Sequence, residues 1–103
     1  MIFCFDLDDT LCTGTKMNYD QAEPFLERIE KVNQLFDAGH TIKVFTARGT
    51  ETGIDWRPVT EEQLLRWGLR YHLLILGKPA ADIYVDDKAC NEKHFEWQLD
   101  RLT

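Results

Sequence analysis

No apolar run in this 103-residue chain exceeds five residues, Met1 to Phe5. A membrane-spanning helix needs roughly 20, so none is expected. The same opening lacks a basic region and an extended apolar core, so it does not read as a signal peptide. Cysteine is scarce. Cys4, Cys12 and Cys90 are odd in number and have no metal-type spacing, which points to reduced thiols in a cytoplasmic protein. Positive charge is also short. Twelve Lys and Arg against 18 Asp and Glu leave a net charge of −6, which argues against general nucleic-acid binding. Internal repeats and low-complexity segments are absent. What remains, 44% hydrophobic and 29% charged residues, suits a single domain over 1–103 with no room for a second.

The charge is unevenly spread. Residues 1–40 hold eight acids and three bases, whereas residues 41–81 hold four acids and six bases. An acidic first part beside a basic middle suits a metal with an anionic substrate, and it equally suits ordinary surface charge.

Strands and helices alternate along the chain. A first strand over about Ile2–Asp6 reads as fully buried. A helix starts between Asp20 and Pro24, where Asp20 and Glu23 resemble a capping box. Its apolar face is Phe25, Leu26, Ile29, Val32, Leu35 and Phe36, and Gly39 ends it. Thr41–Thr46 is a second strand. Ala47–Val59 is the longest irregular stretch. Thr60 and Gln63 form another capping-box pattern, opening a short helix that ends at Gly68. His72–Leu76 and Asp82–Asp86 read as third and fourth strands, and Asn91–Leu102 as a closing helix. This order implies an α/β fold: a minimal parallel sheet of about four strands covered on both faces.

The unusual residues fall at strand ends. "FDLDDTL" places Asp6, Asp8 and Asp9 directly after the first strand. Thr46 ends the second strand, Lys78 follows the third, and Asp86 and Asp87 end the fourth. Ligands of open α/β sheets bind outside the carboxyl ends of the strands. Neighbouring strands lie about 4.8 Å apart, so these groups can converge. Crowded carboxylates repel one another, and a hard cation with oxygen ligands would relieve that repulsion.

"DLDDT", "VFTAR", "GKP" and "YVDD", in this order and across almost the whole chain, resemble the four motifs of the haloacid dehalogenase superfamily. "GKPAADIYVDDKA" also resembles small phosphatases encoded among bacterial capsule and surface-polysaccharide genes. The resemblance implies a three-layer Rossmann-like sandwich and Mg²⁺-dependent phosphatase chemistry. Asp6 would attack phosphorus and form an aspartyl-phosphate. Asp8 would protonate the leaving oxygen and then deprotonate water. Thr46, the Ala47 backbone N–H and Lys78 would hold the phosphoryl group. Arg48, in the long loop after the second strand, is a candidate for a further polar group of the substrate, and an ordinary solvated arginine fits its position equally. Asp6, Asp8 through its backbone carbonyl, Asp86 and Asp87 would hold Mg²⁺, with Asp87 acting through a metal water. Asp9 would satisfy local backbone groups, and Thr10 would fix the loop.

Only 13 residues, Leu11–Glu23, separate the first motif from Pro24, and 31 separate Thr46 from Lys78. No cap domain fits, so the site is expected to be open. The implied substrate is a small phosphorylated metabolite of the sugar- or polyol-phosphate type. Neither nucleic acid nor membrane is expected as a partner, and a homo-oligomer would let a neighbouring subunit act as a lid. The competing readings are a phosphatase of macromolecules and a phospho-accepting receiver-like module. The receiver places its phosphorylated Asp on a later strand, and neither TIKVFT nor HLLIL carries one.

Overall fold

More and less buried residues alternate along β1 (Ile2–Asp6), β2 (Thr41–Thr46) and β3 (Leu73–Leu76), which pair in the order β1-β2-β3. Both pairings are parallel. The connections are α1 (Leu26–Asp37) and α2 (Arg57–Arg66), with a single 3₁₀ turn at Tyr19–Gln21. The structure, a computed structural model, describes residues 1–14 and 18–97.

Register decides which face is buried. Phe5 lies beside Val44, and Val44 beside Leu74, and all three are buried with Ile42. They share one core with Ile29, Val32 and Leu35 of α1 and Leu64 of α2. A fully buried Leu, Ile or Val contributes roughly 1.5–3 kcal/mol, so this shared core is what holds the layers together. Ile2, Cys4, Leu73 and Ile75 point the other way and are exposed. The expected fully buried first strand is therefore corrected: only one of its faces is covered. The same holds for the three-layer sandwich. Among the described residues there are two layers, because both helices pack on one face of the sheet.

The sheet has three strands among the described residues rather than about four. Asp82–Asp86 is not a strand, and Ile83 and Val85 are 79% and 95% exposed. Local bonds hold this segment instead. The Tyr84 hydroxyl donates to the Pro79 carbonyl, and Asp86 accepts from the Lys88 backbone N–H. Those contacts curl the chain on itself, so it does not extend along a sheet edge. The expected closing helix is likewise not formed through Trp97: Glu92–His94 is a turn, and Phe95 and Trp97 pack on Phe5. Its residues from 98 onward lie outside the described residues.

Both capping boxes are displaced. Tyr19–Gln21 forms its own turn, and α1 begins after Phe25, which offers no side-chain cap. Leu26, expected on the apolar face, is 66% exposed. Helix α2 begins three residues before Thr60. Pro58 in its first turn supplies no N–H, where none could be bonded within the helix. Thr60 and Gln63 are thus interior to α2, and both are buried. Gly39 (φ 96°) and Gly68 (φ 73°) follow the two helices in the left-handed conformation that favours glycine.

Candidate active site

The parallel register brings three strand ends to one edge. Asp6 closes β1 opposite Phe45, and Thr46 closes β2 opposite Leu76. The chain after β3 crosses back at once, where the Lys78 backbone N–H donates to the Thr46 carbonyl at 3.1 Å. Sequence position thus becomes proximity. Lys78 Nζ lies 3.1 Å from Asp6 Oδ1.

The loop after β1 is a tight knot of backbone bonds. The Leu7 carbonyl accepts from the N–H groups of Thr10, Leu11 and Cys12. Asp9 adopts a left-handed φ of 65°, and its carboxylate accepts from the Gly14 N–H at 2.9 Å. Asp residues tolerate that conformation when they bond locally, which is the role expected of Asp9. Thr10 donates its hydroxyl to Asp6 Oδ2 at 3.3 Å, and its carbonyl accepts from Arg28 of α1 at 3.0 Å. Asp6 is held on both oxygens, yet its side chain remains 31% exposed.

Lys78 is confined from the sides. Its ammonium sits 4.6 Å from the Phe45 ring centre and 4.4 Å from that of Tyr84. Aromatic faces attract a cation in this geometry. They fix the ammonium toward Asp6 without consuming its hydrogen-bond donors.

Asp8 has a different partner. Arg48 Nη2 donates to Asp8 Oδ1 at 2.8 Å, and Nε donates to Oδ2 at 3.0 Å. The Arg48 side chain is fully buried. Its Nη1 donates to Thr60 Oγ1 at 3.1 Å and to Gln63 Oε1 at 2.6 Å, and Nη2 also reaches Cys12 Sγ at 3.8 Å. The Tyr19 ring lies 4.8 Å away over the guanidinium. Arginine has five N–H donors, and each has an acceptor here. The expectation that Arg48 binds substrate is not matched by this placement.

Thr46 is buried, and its Oγ1 accepts from the Arg48 backbone N–H at 3.1 Å. Ala47 is half-buried beside it. Trp56 packs edge-on against Tyr19, and Arg57 donates to the Leu74 carbonyl at 3.0 Å, so both serve the frame. Burial pushes the Cys12 thiol up to about 12, with the Asp8 carboxylate adding to the effect. Burial, and then Asp8, also raise the Tyr19 phenol. Asp86 is held below its usual range, chiefly by the Lys88 N–H, and is fully exposed.

The four aspartates expected to share a cation are not brought together. Asp6 is committed to Lys78 and Thr10, and Asp86 to the Lys88 N–H, while the Asp8 carboxylate pairs with Arg48 and only its backbone carbonyl is expected on the cation. Asp87 lies exposed beside Asp86. Among the described residues, no three His, Cys, Asp or Glu side chains gather as a metal site. So arranged, these residues do not fit a divalent cation.

The pattern of strand-end residues did not reveal Thr60, Gln63, Tyr19, Cys12, Phe45 or Tyr84. Thr60 and Gln63 carry a signal that reads two ways. Three residues apart, they match a cap, and they also match two polar groups on one helix face.

Comparison with known structures supports the fold. The chain is similar to an MCSG target from Vibrio cholerae, with 27% identity and a TM-score of 0.81 over 89% of this chain and 84% of that one. It also resembles a chain of a Pnkp1/Rnl/Hen1 complex, at 23% identity and a TM-score of 0.60. That match covers 84% of this chain but 30% of the other, so the chain spans under a third of its length. The likeness is one of fold. Both matches are compatible with a small, Rossmann-like α/β domain. No family model and no curated protein matches the chain. Among the described residues, no helix is long and apolar enough to cross a membrane.

Proposed function

We propose that this chain is a phosphomonoester hydrolase with Asp6 as its nucleophile. The observation that carries this reading is the approach of Lys78 to Asp6, at 3.1 Å, on the strand-end edge where Asp8 and Thr46 also lie. A compact ammonium beside a carboxylate lets a phosphoryl dianion approach an anionic nucleophile and offsets charge as it develops. In the first step an Asp6 oxygen bonds to phosphorus while the bond to the ester oxygen breaks. Asp8 gives the departing oxygen its proton. In the second step water attacks the aspartyl-phosphate, Asp8 takes the proton, and inorganic phosphate leaves with Asp6 restored.

The open edge suits a small sugar- or polyol-phosphate in the cytoplasm, as the capsule-cluster resemblance implies. A second subunit would shield the site. Mg²⁺ dependence, also implied by the resemblance, is a separate part of the proposal. It requires Asp86 to reach Asp6, an arrangement different from the one described above.

The test is phosphate release from a panel of phosphorylated metabolites by wild-type protein and by Asp6→Asn. The wild type should turn over at least one small phosphomonoester. Asp6→Asn should fold normally and lose ~10⁴-fold or more, the scale seen when a nucleophile is removed. Near wild-type release by folded Asp6→Asn would overturn the reading.

A further inference from the structure

We propose that Arg48 is the positioning residue of Asp8, and that it directs proton transfer through one oxygen, Oδ2. This rests on the phosphatase reading above and assigns Arg48 a role other than substrate binding. A guanidinium that recognises a phosphate must keep donors free. Arg48 keeps none, since Asp8, Thr60, Gln63 and Cys12 take all five. Its side chain is 0% exposed, so an incoming anion has no path to it.

The geometry is that of an orienting clamp. Two parallel N–H···O bonds to one carboxylate fix the carboxylate plane as well as its position. The far end of the guanidinium is tied to α2 at 2.6 Å by Gln63. Gln63 is itself anchored, because its Nε2 donates to the Tyr19 carbonyl at 2.6 Å. The Tyr19 ring covers the guanidinium face. Asp8 follows β1 in a loop, and α2 is remote in sequence. Arg48 is therefore the rod that sets this loop carboxylate against the rigid part of the fold.

The two carboxylate oxygens are not equivalent. Oδ1 accepts from Arg48 Nη2 and also from the Cys12 thiol at 3.5 Å, with Nε a further 3.3 Å contact. Among the described residues, Oδ2 accepts from Nε alone, at 3.0 Å. Each carboxylate oxygen has about two lone-pair sites. The second site of Oδ2 is left for a proton, and Asp8 is 20% exposed, so it reaches the site edge. Proton transfer tolerates little misplacement: a shift of ~1 Å can cost ~10²-fold.

Leaving-group dependence separates this role from a structural one. An aryl phosphate such as p-nitrophenyl phosphate departs without a proton, whereas an alkyl phosphate requires one. In single-turnover measurements, Arg48→Lys should slow transfer from the alkyl ester by ~10²-fold and leave transfer from p-nitrophenyl phosphate within a few-fold. Gln63→Leu, which keeps both bonds to Asp8 but removes the outer anchor, should show the same bias more weakly. An equal loss on both esters, or no loss, would overturn the positioning role while Asp6→Asn stays inactive. Should Asp6→Asn remain active, the phosphatase reading itself falls. A measurement independent of turnover tests the clamp directly. Wild-type protein should show a slowly exchanging arginine Nε–H proton in NMR, absent in Arg48→Lys and lost in Asp8→Asn. Lack of that proton in the wild type would overturn the clamp.

Discussion

Cys12 illustrates how burial sorts chemically similar side chains. Its thiol is buried between the Leu7 carbonyl and Asp8, whereas Cys4 and Cys90 are exposed. Burial, followed by the Asp8 charge, raises its pKa from 9.0 to about 12. The thiolate is the reactive form, so Cys12 should be inert in the folded protein. A thiol reagent at pH 8 should modify two cysteines quickly and the third only on unfolding, with mass spectrometry placing the slow site at Cys12. Rapid loss of all three would contradict the burial. The linkage has a definite sign. The folded state holds the proton more tightly, so this contribution is complete below about pH 9 and is lost as pH rises toward 12. At this scale the Asp6–Lys78 pair was legible from strand-end positions, whereas Arg48 reads as a candidate substrate contact and Asp86 and Asp87 as the end of a strand that does not form. The neutral partners were not legible, because Thr60, Gln63, Phe45 and Tyr84 match ordinary helix and strand patterns. What distinguishes them is which charged group the fold sets beside them.

Elements were legible where periodicity and punctuation agree. Ile2–Asp6 and Thr41–Thr46 end in polar residues, and their boundaries coincide with the strands. DIYVD has the same texture and is no strand, since pairing depends on a sheet edge that composition does not describe. Pro58 starts α2 early and turns an expected cap, Thr60, into a buried ligand of Arg48. The loop between β2 and α2 is another case. Gly53 donates to the Gly49 carbonyl at 2.8 Å, and both glycines have positive φ, 75° and 80°. Their surroundings differ. A Cβ on Gly49 would lie 2.2 Å from the Ile54 carbonyl oxygen, whereas one on Gly53 meets nothing within 4 Å. Left-handed backbone costs a non-glycine residue roughly 1–2 kcal/mol, which Gly53→Ala should show alone. Gly49→Ala adds a clash with backbone and should cost about 3 kcal/mol or more. Chemical denaturation of the two variants measures the difference, and equal losses would refute this account of the loop.

At the scale of the whole molecule, the net charge of −6 means that any added cation will act on stability to some degree. General screening and a specific site are separable. Screening follows ionic strength whatever the ion. A site that exists only in the folded state stabilises it by mass action, about 2.7 kcal/mol at 100 times the dissociation constant. For a domain of this size that raises Tm on the order of 10 °C. If the Mg²⁺ part of the proposal holds, millimolar Mg²⁺ should raise Tm and restore activity after EDTA treatment, and NaCl at matched ionic strength should do neither. Asp86 supplies the second arm. It is exposed and held by short local bonds near Lys88, so relocating it disrupts no core packing. Asp86→Asn should therefore leave the metal-free Tm within about 2–4 °C, as expected for an exposed substitution, and should abolish the Mg²⁺-dependent rise. Thermal melts with and without Mg²⁺ read both quantities at once. Were the rise unchanged in Asp86→Asn, the cation would bind elsewhere on the acidic surface. Were there no rise and no loss of activity with EDTA, the Mg²⁺ requirement would fall, while Asp6, Lys78 and the Arg48–Asp8 pair would stand as the candidate site.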